Sequence, residues 1–318
     1  MSNAKNLKIK QIDKKNISFK ELSLVKNMIF WVDSIPEDQK HKNAIFAKPF
    51  NDKNAIPQKL TGDNFYIKSN FHGYGGKSYQ CIEVNDQIYL IWVDQLSKAM
   101  WLQILRVQEK VPKNDNEYLL CDMEPIQLTE SIKTNFDTSF VISKNNLLYG
   151  LCEIKHRDYL FSLNLKKTKQ EIRIIKKFDN FAGNLSSNIS ADLFSWTEWS
   201  SDSMPWERNE LFFAIIDNDG EIQKIKKFSN KLVNEEKNVS FFQPYWVSDN
   251  ILVCSEDSTG WWNLLFLDVT DIKNIILKKR IIKPLTEYGS PQWVSGISFF
   301  SGNIKNLFCV AKKDNSWV

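Results

Sequence analysis

The sequence predicts an all-β chain folded as a propeller of four-stranded blades. Segments dense in β-branched and aromatic residues recur roughly every 45–60 residues, the spacing of such blades. Three units end on similar phrases, Gln58-Lys59-Leu60-Thr61, Ile126-Gln127-Leu128-Thr129 and Lys283-Pro284-Leu285-Thr286. A repeated outer-strand ending marks true repetition rather than chance strand spacing. No stretch carries apolar residues at i, i+3, i+4 and i+7 over a useful length, which removes a parallel α/β domain.

The first blade spans 17–61, with strands near Phe19–Val25, Met28–Asp33, Ala44–Lys48 and Gln58–Thr61, after an N-terminal extension over 1–16. Pro36–His41 has room for one short helical turn. The second blade, 77–129, holds Ser78–Glu83, Gln87–Val93, Trp101–Val107 and Pro125–Thr129. The third, 136–178, holds Phe136–Ile142, Leu147–Ile154, Tyr159–Leu165 and Ile172–Phe178. The fourth, 186–229, shows Leu193–Trp199, Glu210–Ile216 and Ile222–Phe228. The fifth, 240–286, is the clearest: Phe241–Val247, Ile251–Ser255 and Asn263–Val269, then Ile281–Thr286. Its joints, Ser248-Asp249-Asn250 and Asp257-Ser258-Thr259-Gly260, consist of residues that tolerate turn geometry. A partial sixth, 290–318, has Pro291–Phe300 and Leu307–Ala311. About five and a half blades are therefore expected within an incomplete propeller over 17–318, with the strands that close the ring lying beyond Val318.

Composition excludes several classes. At 42 % hydrophobic and 25 % charged residues the chain is globular rather than disordered. The longest apolar runs, Ile88–Val93 and Leu211–Ile216, are strand length, so no membrane span is expected. Lys5–Asn16 is charged throughout, unlike a secretory signal. The net charge of +4 comes from lysines spread along the chain rather than gathered on one element, so no nucleic-acid partner is expected. Cys81, Cys121, Cys152, Cys254 and Cys309 form no Cys-x-x-Cys and are odd in number, which points to a reducing cytoplasm and away from a zinc site.

Chemistry-bearing motifs are scarce. His41, His72 and His156 have no metal-ligand spacing, so no metal site is expected. The glycine-rich run around His72 precedes a strand instead of a helix and so lacks the amides of a phosphate cradle. No Gly-x-Ser-x-Gly occurs; Gly296-Ile297-Ser298-Phe299-Phe300 lacks the closing glycine. Asp217-Asn218-Asp219-Gly220 joins two strands and reads as a hairpin turn rather than a calcium loop. Glu198, Asp202 and Glu207 flank a long loop and read as solvated charges, with binding of a cationic group as the alternative. No catalytic residue and no cofactor follow.

Four phrases in order carry a resemblance. His72-Gly73-Tyr74-Gly75-Gly76, Ser203-Met204-Pro205-Trp206-Glu207 with Asn209-Glu210-Leu211, Phe242-Gln243-Pro244-Tyr245-Trp246 with Thr259-Gly260-Trp261-Trp262-Asn263-Leu264, and Gly289-Ser290-Pro291-Gln292-Trp293-Val294 are the residues concerned. They resemble phrases of acylaminoacyl-peptidase and dipeptidyl-aminopeptidase relatives in the prolyl oligopeptidase family of serine peptidases. The resemblance implies a propeller, usually of seven blades, capping a C-terminal α/β-hydrolase domain that holds the Ser-Asp-His triad. That domain is absent from this chain and would be its partner, with a short peptide as substrate. Two departures stand out: Gly73 replaces the family glutamate, and Ser248-Asp249-Asn250 replaces Pro-Asp-Gly. The first leaves substrate preference open.

Propeller geometry places loops between second and third strands on the same face as the connections between blades. Met204, Trp206, Trp261 and Trp262 belong to the first kind, His72 and Tyr74 to the second. All six are expected on one rim, facing substrate or the partner domain. The competing expectations are tryptophans packed between blades, and a stand-alone propeller serving as a binding module.

Overall fold

The computed structural model describes residues 20–34, 42–108, 117–130, 134–229, 233, 238–313, 316 and 317. The extension over 1–16, the turn read at Pro36–His41 and His41 itself lie outside the described residues. What is described is a six-bladed propeller, all β, whose helical content is one 3₁₀ turn at Phe71–Gly73.

Blade 1 runs β1 Lys20–Val25, β2 Met28–Ser34, β3 Asn43–Pro49 and β4 Gln58–Lys59. In blade 2, β5 Tyr79–Val84, β6 Gln87–Asp94 and β7 Ala99–Val107 are followed by β8 Leu119–Cys121 and β9 Ile126–Gln127, both paired to β7. Blade 3 opens with β10 Asn135–Phe136 and β11 Val141–Ile142, both paired to β12 Leu147–Ile154, then β13 Arg157–Asn164 and β14 Arg173–Lys177. Blade 4 is β15 Phe181–Ser187, β16 Leu193–Trp199, β17 Glu210–Ile216 and β18 Ile222–Lys227. Blade 5 is β19 Phe241–Trp246, β20 Ile251–Glu256, β21 Asn263–Asp268 and β22 Ile276–Ile281. The sixth consists of two small sheets. The hairpin β24 Phe300–Gly302 with β25 Leu307–Cys309 is one, and β23 Thr286–Glu287, β26 Lys312–Lys313 and β27 Ser316–Trp317 form the other. Six blades stand where the sequence counts five and a half.

Local chemistry explains the strand ends. Lys26-Asn27, Asn85-Asp86 and Lys155-His156 all have positive φ and join strands by two residues, the type I′ geometry that matches strand twist. The repeated Leu-Thr endings have a shared function in two blades. Thr61 Oγ1 accepts the Ile45 amide and Leu60 donates to the Ile45 carbonyl; Thr129 and Leu128 do the same at Met100. In blade 5 the outer strand ends at Ile281, and Thr286 pairs instead with Lys313 in the last sheet.

The core lies between blades. Second and third strands such as β12 and β13 are buried on both faces, so alternate side chains enter two different interfaces. Phe30, Tyr79 and Trp92 join blades 1 and 2; Leu102, Phe136 and Phe161 join 2 and 3; Tyr149, Phe194 and Trp196 join 3 and 4. Phe213, Phe241 and Leu252 join blades 4 and 5, and Phe242, Trp262 and Phe299 join 5 and 6. The outer strands are lysine-rich and exposed, as in Ile222–Lys227, which protects free edges against pairing and accounts for the dispersed positive charge.

Candidate functional site: an aromatic cup on the rim

Innermost strands of three blades carry the same irregularity. Register shifts put Glu21, Asn184 and Gln243 at positive φ within β1, β15 and β19. A bulge bends the strand and re-aims a side chain. Asn184 and Gln243 use this to reach residues 292–299: Asn184 Nδ2 donates to Gln292 Oε1 at 2.7 Å, and Gln243 Nε2 to Ser298 Oγ at 2.9 Å. The rim beside them carries the turn at 155–156, the loop 200–209 and the connection 68–76.

These segments enclose a cup of about 550 Å³. Its walls are aromatic: Trp206 leans on Trp293 with ring centroids 4.3 Å apart, and Phe181 stacks on Trp199 at 5.9 Å. Such rings supply large contact area at little conformational cost. His72 sits between them, stacked on Phe71 at 3.8 Å and edge-on to Phe181 and Trp199. Its Nε2 lies 2.7 Å from Asp158 Oδ2, a buried oxygen that also accepts the Ala182 amide. The His72 backbone N–H donates to Glu153 Oε2, which also accepts from Asn135 Nδ2 at 3.1 Å. Glu153 Oε1 faces His156 Nδ1 at 3.3 Å. Among the described residues no lysine or arginine lines the cup, and Glu153 is its one carboxylate. Nearby, burial raises the Glu198 carboxyl and the Asp137 carboxyl above their ordinary values, the Trp196 indole N–H and Ser295 hydroxyl partly opposing this.

Four of the six residues singled out from sequence line this cup: His72, Tyr74, Met204 and Trp206. Tyr74 and Met204 are exposed at the mouth. The Met204 amide is held by Glu207 at 2.8 Å, and the Pro205 carbonyl by Asn209 Nδ2 at 2.7 Å, which fixes the loop carrying Trp206. Trp261 and Trp262 do not line it. Trp262 is buried, edge-on to Phe242 at 5.8 Å, with its amide on Glu287; Trp261 is half-buried in the same turn. Sequence reading missed Trp199, Trp293, Glu153 and Asp158. Trp293 lies within Pro291-Gln292-Trp293-Val294, the one signal available; Glu153 and Asp158 meet His72 only through the fold.

Chemically, the cup can hold an apolar or aromatic body against indoles, with the Glu153 carboxylate available to offset a positive charge. Among the described residues, no group of three or more metal-ligating side chains occurs. Among the same residues, no helix is long and apolar enough to cross a membrane.

No protein-family model matches the chain, and no curated protein matches it. Solved structures do. A puromycin-hydrolyzing peptidase from Mycobacterium tuberculosis aligns over 93 % of this chain and 43 % of its own, with TM-score 0.72 and 14 % identity. A puromycin hydrolase mutant complexed with PGG aligns over 92 % and 43 %, again at TM-score 0.72 and 14 % identity. Prolyl oligopeptidase B from Galerina marginata, bound to a 35mer substrate, aligns over 93 % and 40 % at TM-score 0.52 and 8 % identity. The chain spans less than half the length of each, and the fold it shares with these peptidases is the propeller.

Proposed function

We propose that this chain is the propeller portion of a prolyl oligopeptidase-type serine peptidase, capping an α/β-hydrolase domain and admitting short peptides to it. The names of the structural neighbours and the four sequence phrases support this reading. The observation that carries it is the cup: an aromatic-walled recess with one carboxylate, Glu153, on the rim where blade connections and second-to-third-strand loops converge. In this role the rim faces the hydrolase domain, and Trp206, Trp293, Tyr74 and Met204 contact one end of the peptide. The chain contributes binding and size exclusion, and nucleophilic attack belongs to the other domain. Unpaired thiols at all five cysteines fit a reducing cytoplasm.

The test is titration calorimetry with the tripeptide Pro-Gly-Gly. Binding is expected, weakened about thirtyfold by Trp206→Ala, as for a buried aromatic anchor worth about 2 kcal/mol. The chain alone is expected to resist labelling by a fluorophosphonate serine probe. Absence of tripeptide binding at millimolar concentration, or labelling of the chain alone, would sink the proposal.

A further inference from the structure

One segment touches four consecutive blades, at inner strands or the residues that lead into them. Ser295 forms a parallel bridge with Gly76 and accepts the Lys77 amide at 3.1 Å, at the entrance to blade 2. Its hydroxyl donates to Asp137 of blade 3 at 2.7 Å. Gln292 is held by Asn184 of blade 4, and Ser298 and the Phe299 amide by Gln243 of blade 5. An inner strand confined to its own blade reaches only its two neighbours; contact with blades 2, 3, 4 and 5 requires a path across the axis. A different cavity flanks each part of this segment. Residues 292–295 line the rim cup, whereas 296–298 line a second chamber of about 410 Å³ bounded by Gln80, Ser139, Ser186 and Tyr245.

The crossing is tight by construction. A Cβ on Gly76 would meet Ser295 Oγ at 2.5 Å and its carbonyl oxygen at 2.6 Å, and one on Gly296 would meet Lys77 Cβ at 2.4 Å. Both glycines also hold positive φ. Backbones approach here as closely as side-chain-free residues allow, and polar side chains from three blades pin the strand on either side.

We infer that residues 292–298 form a fixed septum across the propeller axis, so that the rim cup is a blind recess entered from the rim alone. Resting on the peptide reading above, this names the substrate class: a free chain end that inserts into the cup and stops at Val294 and Ser295, rather than a polypeptide threaded through the propeller. At about 550 Å³ the recess has the size of a small-ligand pocket.

Two experiments decide it. Hydrogen exchange on the unmodified chain reads the septum directly. The amides of Lys77 and Phe299 are expected to exchange within about tenfold of those of Leu252 and Cys254 in the blade 5 core. Exchange a thousandfold faster there, with the blades still protected, would mean that the segment swings out, and overturns the inference. The second uses Gln243→Cys with Ser298→Cys, bridged by dibromobimane, which locks the segment from the far chamber without touching the cup. Pro-Gly-Gly affinity is expected to agree within twofold between bridged and unbridged protein; a loss above tenfold on bridging overturns a rim-only route. Should the tripeptide bind neither form, the peptide reading fails, and hydrogen exchange judges the septum by itself.

Discussion

Replacing Arg280 with methionine would leave a carboxylate inside blade 5 without its charge partner. Glu256 is fully buried and accepts Arg280 Nη2 at 2.6 Å and Nε at 3.2 Å. The guanidinium also donates to Ser258 Oγ at 2.7 Å, while Glu256 Oε2 accepts the Ser258 amide at 2.9 Å. In Arg280→Met only that amide remains on the carboxylate. Breaking a buried pair in this way costs about 3–5 kcal/mol, a large part of a typical stability of about 5–15 kcal/mol. With a urea slope of about 3 kcal/mol per molar, the unfolding midpoint falls by about 1 M or more. Adding Glu256→Gln removes the stranded charge, and the double variant is expected to recover at least about half of the loss. Urea unfolding followed by tryptophan fluorescence gives both numbers. A single-variant loss under about 1 kcal/mol, the scale of an exposed pair, would refute the reasoning.

Three further outcomes are expected. Asn209→Ala strips the Phe241 amide and the Pro205 carbonyl of a buried partner; a loss of about 2–4 kcal/mol in urea unfolding should result, and an unchanged midpoint would contradict it. Burial raises the Asp257 carboxyl from 3.8 to about 6, so the folded state holds this proton more tightly than the unfolded one. Its contribution is therefore full below about pH 4 and lost as pH rises through 6, up to about 3 kcal/mol before solvent screening; Asp257→Asn should flatten that limb of a stability–pH curve, and an identical slope in the variant rejects burial as its cause. Gly76→Ala drives a Cβ into the Ser295 backbone and should cost about 2–4 kcal/mol, read as a lowered melting midpoint; a neutral result would mean that the crossing has slack.

The blades were legible because strand-forming residues and two-residue turns are local. Val25–Met28 and Ile154–Arg157 pair across turns that the sequence displays directly. The Leu-Thr endings were also readable, since Thr61 and Thr129 cap equivalent third strands; the third occurrence misleads, because Thr286 pairs across to Lys313. The cup was legible only in part. Its mouth comes from loops whose face follows from propeller connectivity. Its one carboxylate is Glu153, which meets His72, as does the buried Asp158 behind it, through contacts more distant in sequence than any local pattern spans. Whether an aromatic at a turn faces the cup or the blade interface depends on alternation at the turn, which is why Trp206 leans on Trp293 while Trp262 sinks against Phe242.

The Gly76–Ser295 bridge joins segments separated in sequence by blades 2 to 5, whereas each of those blades is built from hairpins between sequence neighbours. Hairpins close in microseconds, while so long a loop carries its entropy cost until the blades between have docked. The axial crossing is therefore expected among the last contacts to form during refolding. Residues 292–299 thus report assembly order: their protection appears only when blades 2 to 5 are already in place.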